Sequence, residues 1–311
     1  MDKHISVLLD ESICGLNLKD DSVIVDCTLG YGGHSSEILK KINNGYLYAF
    51  DQDVEAINSS FERLNNISNN FEIINSNFVN IKEELLKRNV EKVDGILYDL
   101  GVSSPQLDEG ERGFSFHKDA RLDMRMDKSS SLDAYKVVNE YTYDELVKIF
   151  YKYGEEKYSS SIAKGIINNR PIETTLELVE VIKNNVPEKY RREHHPARKI
   201  FQAIRIEVND ELNVFEKSLK DSLKLLNIGG RICVITFHSL EDRICKEIFN
   251  SVSKIDDNLK KLPIIPEEYL PKYKVIKVVD PSKEEIENNP RSRSAKLRII
   301  ERIGWYHEKQ N

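Results

Sequence analysis

The strongest constraint on the fold lies in residues 1–100, where short apolar runs alternate with stretches of helical spacing. Val23-Ile24-Val25-Asp26 is a β-branched run, followed by the turn Gly30-Tyr31-Gly32-Gly33 and a helical segment over 35–42. A second run over 46–50 ends at Asp51, and Val54, Ile57, Phe61 and Leu64 then step by three or four. A third run covers 71–74, with a helix around 81–86. A fourth, 93–98, ends in Asp99. Strands separated by helices of this length pair in parallel through right-handed crossovers, so the spacing predicts an α/β fold with a parallel sheet.

The pattern then changes. Residues 106–139 read as loop and 142–186 as helices only, with capping-box pairs at Thr142/Glu145 and Thr174/Glu177 and breaks at Pro171 and Pro187. An all-helical insertion is therefore expected over 106–204, within a discontinuous domain of 1–105 and 205–311. A chain of 311 residues suits that division better than one core of usual size. Val208, Leu212, Phe215, Leu219, Leu223 and Leu226 lie on one face of a single long helix, which Gly229-Gly230 is expected to stop. A strand over 232–237 and a helix over 239–249 follow. A linker holds Pro263, Pro266 and Pro271, and runs over 273–279 and 296–302 suit a final antiparallel pair.

Composition excludes several classes. Forty-six basic against 52 acidic residues give a net charge of −6, which rules out a polybasic binder. Two local segments are nonetheless basic. Residues 188–205 hold Lys189, Arg191, Arg192, Arg198, Lys199 and Arg205 against Glu188 and Glu193, and 289–302 hold Arg291, Arg293, Lys296, Arg298 and Arg302 against Glu301. No apolar run approaches the ~18 residues of a membrane span, and the first residues lack the features of a signal peptide. Cys14, Cys27, Cys233 and Cys245 form no CxxC pair and have no histidine at zinc spacing. They read as small buried hydrophobes in a reducing cytosol. No metal site is expected.

A glycine-rich turn between a first strand and a first helix lets backbone N–H groups approach a ligand. Here Ser35 occupies the third glycine position of a dinucleotide fingerprint, so a nicotinamide cofactor fits only in part. Asp51, 18 residues after Gly33, can accept from both hydroxyls of a ribose. Asp99 lies on the same sheet edge, where open parallel sheets bind ligands. Together these features predict a nucleoside cofactor.

From Thr28-Leu29-Gly30-Tyr31-Gly32-Gly33-His34-Ser35 onward the chain resembles the bacterial S-adenosylmethionine-dependent 16S ribosomal RNA (cytosine-N4)-methyltransferases. His4-Ile5-Ser6-Val7-Leu8-Leu9-Asp10-Glu11 is similar to the family's opening. Its central signature is matched by the run from Asp94-Gly95-Ile96-Leu97-Tyr98-Asp99 through Leu100-Gly101-Val102-Ser103-Ser104-Pro105 to Gln106-Leu107-Asp108. Further matches, in order, are Arg112-Gly113-Phe114-Ser115-Phe116, Leu122-Asp123-Met124-Arg125-Met126-Asp127, Tyr153-Gly154-Glu155-Glu156, His195-Pro196-Ala197-Arg198, Phe237-His238-Ser239-Leu240-Glu241-Asp242-Arg243 and Asn289-Pro290-Arg291-Ser292-Arg293-Ser294. Two small departures from the family pattern are Arg121 and the doubling of a single histidine as His194-His195.

The resemblance implies a Rossmann-like class I methyltransferase sheet with a helical domain inserted after the fourth strand. It implies S-adenosylmethionine as cofactor, held by Gly32, Gly33 and His34 at the methionine end, Asp51 at the ribose, Phe78 against the adenine, and Asp99 and Gln106. It also implies a cytosine in the decoding region of 16S rRNA as target, within the small ribosomal subunit, in the cytoplasm. A homodimer is left open.

Cytosine N4 is a poor nucleophile because its lone pair is delocalised into the ring, so an acceptor on its N–H would favour attack. Asp99, or a backbone carbonyl of Leu100, Gly101 or Val102, occupies the position where other amino-methyltransferases carry an acidic or amide residue before Pro-Pro-aromatic. The sequence leaves open whether Asp99 serves the amine, the cofactor or both. His238 is a second catalytic candidate. A splayed-out base needs a stacking surface, for which Phe114 and Phe116 beside Arg112 are candidates. Arg198, Arg291 and Arg293 are candidates for phosphate contact. Rival readings are an amino-methyltransferase for a different nucleic acid and a non-catalytic RNA-binding assembly factor. The latter would be expected to erode Gly32, Asp51 or Asp99, and all three are intact.

Overall fold

The computed structural model describes residues 6–102, 110–255, 258–261 and 265–304. The chain divides into two compact units, Met1–Gly101 with Asn213–Asn311, and Val102–Leu212.

The first unit begins with helix α1 (Leu9–Leu16), strand β1 (Val23–Asp26), α2 (Gly33–Leu39), β2 (Tyr46–Asp51), α3 (Val54–Asn65), β3 (Phe71–Asn75), α4 (Ile81–Lys87) and β4 (Val93–Asp99). Local chemistry sets these limits. The Asp53 side chain accepts from Glu55 N–H at the start of α3, and Ala56, Ser60 and Leu64, each four residues apart, form its buried stripe.

The second unit holds α5 (Ala134–Glu140), α6 (Tyr143–Lys152), α7 (Ser159–Asn168), α8 (Thr175–Asn184), α9 (Glu188–Glu193) and α10 (Pro196–Asn209) around its own core, including Leu146, Phe150, Ile162, Leu178, Ile200 and Ile204. Both expected capping boxes form, at Thr142 and Thr174. Helix α5 falls where a loop was expected. Asp133 caps it by accepting from Lys136 N–H, and its buried face is only Ala134, Val137 and Val138, too short a stripe to stand out from its polar surroundings.

The remaining elements are α11 (Glu211–Leu225), β5 (Leu226–Thr236), α12 (Ser239–Ser253), β6 (Tyr273–Val279), α13 (Lys283–Asn288) and β7 (Lys296–Arg302). Two expectations need correction. The long helix is two, broken at Asp210, whose backbone is left-handed at φ 49°. Gly229-Gly230 lies inside β5, where the pairing with β4 jumps from Val93↔Leu226 to Gly95↔Arg231 and the intervening residues bulge out.

The sheet runs β3-β2-β1-β4-β5-β7-β6, parallel except for β7, which is antiparallel to both its neighbours. The expected antiparallel pair is therefore present. Both faces are buried. Ile24, Leu97, Cys233 and Ile235 join one core, while Val25, Ile96, Tyr98, Ile232 and Val234 join the other. Burial on two faces explains why the central strands read as unbroken apolar runs. All four cysteines are free; three are buried, but Cys14 is exposed, contrary to expectation. Among the described residues no helix is long and apolar enough to cross a membrane.

Candidate active site

Strand order reverses at β1, which pairs with both β2 and β4. Such a switch point opens a crevice at the carboxyl ends of the strands. β1, β2 and β4 each end there in aspartate, namely Asp26, Asp51 and Asp99.

The glycine turn shapes the floor of this crevice. Gly30 and Gly32 are left-handed at φ 51° and 73°. A Cβ on Gly33 would stand 1.9 Å from Ser6 Oγ. The turn is held by Ser60 Oγ donating to Gly30 O (2.6 Å) and by Gly30 N–H donating to Asp51 Oδ2 (2.8 Å). Asp51 Oδ1 accepts from Asp53 N–H (2.8 Å). Burial pushes the Asp51 carboxyl up to about 6, against the pull of these two N–H groups.

Asp26 is almost fully buried. Its Oδ2 accepts from Ser35 Oγ (2.7 Å) and its Oδ1 from Thr28 N–H (3.0 Å). Burial raises its carboxyl. Thr28 Oγ1 in turn accepts from the Asp99 N–H at 2.7 Å, so the ends of β1 and β4 are tied together.

Asp99 has two different oxygens. Oδ2 lies 3.5 Å from His34 Nδ1, while Oδ1 is buried with no hydrogen-bond partner among the described residues. Burial, with the charges of Asp26 and Glu241, pushes this carboxyl up to about 8. His34 is itself buried, and its Nε2 lies 3.2 Å from Val7 O.

Phe78 is half-buried just beyond β3, edge-on to Tyr98 at 5.6 Å. Tyr98 is anchored by its hydroxyl to Ser218 and Ser222, both at 2.6 Å. Asn77 Nδ2 donates to Gln52 Oε1 (3.0 Å), which ties the Phe78 turn to the end of β2 beside Asp51. His238 precedes α12, with Nε2 3.0 Å from Glu241 Oε1 and neither ring nitrogen in a hydrogen bond among the described residues. Glu241 is buried and accepts from Phe237 N–H (2.8 Å).

Gly32, Gly33, His34, Asp51 and Asp99 therefore converge, with Phe78 beside the end of β2 through Asn77. Gln106 lies outside the described residues. Arg291 and Arg293 are exposed on the turn Pro290–Ser294, which is pinned by buried Ser292. Arg298 is committed to Asp242 through two hydrogen bonds. Asp26 and Glu241 were missed by sequence reasoning. The signal for Asp26 was available, since it is the third aspartate ending a parallel strand. Glu241 offered none, because its burial depends on how α12 packs.

In the helical unit, two expectations change. Arg112 is buried and donates to Arg125 O (2.9 Å), with its guanidinium 5.9 Å from the Phe114 ring centre. Phe114 is buried in the unit's core. Both serve the interior rather than presenting a face to RNA. Phe116 differs, since its ring lies 4.3 Å from exposed His117 and 4.5 Å from exposed His195. Arg198 is exposed. Burial, then the nearby His117, Lys183 and Arg198, depress protonation of His195.

The crevice suits a ligand carrying both positive charge and vicinal hydroxyls. It offers the strand-end acids Asp51 and Asp99, the latter with an unpartnered buried oxygen, and a turn in which a Cβ on Gly33 would meet Ser6. S-adenosylmethionine has these properties.

Residues 1–303 match the MraW methylase family. The chain is 56% identical over 309 residues to a ribosomal RNA small subunit methyltransferase H of Exiguobacterium sibiricum, an alignment covering 97% of this chain and 99% of the relative. It is 51% identical over 316 residues to the protein of the same name from Oceanobacillus iheyensis, covering 99% and 97%. A solved rRNA methylase from Streptococcus thermophilus is 12% identical, with a TM-score of 0.43 and coverage of 94% and 93%. The chain belongs to the MraW methylase family and is an S-adenosylmethionine-dependent methyltransferase.

Proposed function

We propose that this enzyme methylates the exocyclic N4 of a cytosine in the decoding region of 16S rRNA, within the small ribosomal subunit of the bacterial cytoplasm. The observation that carries this reading is Asp99. It ends β4 at the switch point, with one oxygen engaged near His34 and the other buried and unpartnered. A weakly nucleophilic amine needs such an acceptor, held in place before the substrate arrives. The names of the two relatives support ribosomal RNA as substrate.

When bound, S-adenosylmethionine supplies an activated methyl group on a sulfonium. Asp51 would accept from its ribose hydroxyls. The Gly32-Gly33 backbone and His34 would border its methionine end, Phe78 its adenine, and Gln106 would complete the set. Asp99 Oδ1 orients the amine and accepts its hydrogen. His238 and Glu241 line the same edge as polar walls. Phe116 supplies a ring for stacking, and Arg198, Arg291 and Arg293 supply phosphate contacts. The helical unit recognises the RNA.

The test uses methyl-labelled S-adenosylmethionine and small subunits from cells lacking this enzyme, with the RNA digested to nucleosides for mass spectrometry. Label is expected in N4-methylcytidine with the native enzyme and not with Asp51→Ala. Label in another nucleoside would overturn the target. No label in subunits, naked RNA or whole ribosomes, despite cofactor binding, would favour a non-catalytic assembly factor.

A further inference from the structure

The contacts around His34 fix where its protons lie. The Val7 carbonyl, 3.2 Å from Nε2, can only accept, so Nε2 carries the hydrogen. Nδ1 then faces Asp99 Oδ2 at 3.5 Å. A bare ring nitrogen and a bare carboxylate oxygen would set lone pair against lone pair inside a buried site. One proton between them removes that repulsion, whichever atom holds it. We propose that His34 is a positioning residue that shares a single proton with Asp99 across Nδ1 and Oδ2, and that this pair takes up the proton released from the methylated amine.

The inference rests on Asp99 being the acceptor for the amine, and the protons balance. Before transfer the pair holds one proton in addition to the Nε2 hydrogen. As the N4 lone pair bonds to the methyl carbon and the carbon–sulfur electron pair returns to sulfur, N4 becomes cationic and must lose one hydrogen. Asp99 Oδ1 accepts it, and the shared proton settles on Nδ1. The pair then holds two protons, and one passes to solvent as product leaves. Without His34, the Oδ2 proton of Asp99 would have to leave to solvent, since the side chain is partly exposed.

The surroundings favour this assignment. Among the described residues, the groups that bear on Asp99 are His34 from α2, Asp26 from the end of β1, and Glu241 from the start of α12. Two of these are buried acids, so retaining one proton at the pair relieves like-charge repulsion. The carboxyl, pushed up to about 8, keeps that proton at neutral pH.

The experiment has two readouts. In full-length protein labelled with 15N-histidine, the His34 resonances are identified by their loss in His34→Gln. They are expected to report the Nε2–H tautomer at high pH, and an imidazole titration that Asp99→Asn displaces. An Nδ1–H tautomer, or a titration indifferent to Asp99→Asn, would overturn the proposal whatever the RNA substrate proves to be. His34→Gln retains a side-chain N–H for the Val7 carbonyl but has no base at the Nδ1 position. It is expected to lower kcat about 10²-fold and to alter the pH–rate profile. Because His34 also borders the methionine end of the cofactor, the variant's affinity for S-adenosylhomocysteine, by calorimetry, is expected to fall, but by much less than kcat. If affinity fell as far as kcat, His34 would be a cofactor ligand only and the proposal would fail. Absence of RNA methylation by the native enzyme, with the resonances as expected, would instead sink the functional reading and leave the proton assignment standing.

Discussion

Asp99 is a carboxylate that the fold favours in its neutral form, and that preference has a measurable cost. Its carboxyl is raised from 3.8 to about 8. The folded state therefore holds this proton over a range where the unfolded chain has lost it, and stability falls as pH rises from about 4 to about 8. Asp99→Asn removes the titration. The variant is expected to melt increasingly above the native protein from pH 4 to pH 8, with a plateau beyond. The gap should reach about 1 kcal/mol, or ~2–4 °C, since partial exposure of the side chain lets solvent screen the charge. A constant or reversed gap in scanning calorimetry would contradict the assignment. Asp51 gives the complementary prediction. If it holds the ribose as proposed, its carboxylate must be ionised to accept best from the hydroxyls, and burial pushes it up to about 6. The Kd for S-adenosylhomocysteine should be flat above pH 7 and weaken by up to about tenfold per unit below 6, a dependence that Asp51→Asn abolishes. The strand-end positions of Asp51 and Asp99 were legible because strand limits follow from periodicity, whereas the strand order that makes a switch point there is known only from the pairing. The hydrogen bonds that tie Asp26 to Ser35 and the burial of Glu241 were not legible, because they depend on side chains meeting across separate elements.

Elements with local causes were legible and elements with distant causes were not. The two capping boxes need only residues three apart, and both formed at the expected positions. Thr142 Oγ1 accepts from Glu145 N–H (3.3 Å), and Glu145 Oε2 accepts from Thr142 N–H (2.8 Å). Thr142→Ala should therefore cost about 1 kcal/mol. The expected signature is a lower urea midpoint with unchanged slope, and an unchanged midpoint would mean that the cap contributes nothing. By contrast, the apolar stepping from Val208 to Leu226 continues straight through Asp210, where the backbone turns left-handed and α10 ends. Hydrophobic spacing records which face is buried, not whether the axis is continuous. Gly229-Gly230 misled for a similar reason. Glycines that usually end a helix here form a bulge in β5, whose partner β4 is distant in sequence.

At the scale of the whole molecule, charge and function pull in opposite directions. A net charge of −6 opposes approach to RNA, so association must rest on local basic segments. The structure thins those segments. Arg205 is paired with Glu211, Arg192 with Glu188, and Arg298 with Asp242, which leaves fewer cations for phosphate than the sequence alone suggests. Pairing of this kind depends on tertiary packing and cannot be read from a charge tally. Arg291 and Arg293 are exposed on a turn whose anchor, Ser292, is fully buried, so both can be changed without disturbing the core. If each neutralises one phosphate, the double variant Arg291→Gln, Arg293→Gln should bind small subunits or RNA more weakly at low salt. The slope of log affinity against log salt should flatten by about 1.4–1.8, which is ~0.7–0.9 per phosphate. The affinity for S-adenosylhomocysteine should change little, because neither residue is among those that converge at the strand ends. Binding weakened with an unaltered salt slope would mean that the turn acts by shape, and the phosphate-binding groups would then have to be sought among other exposed cations such as Arg198.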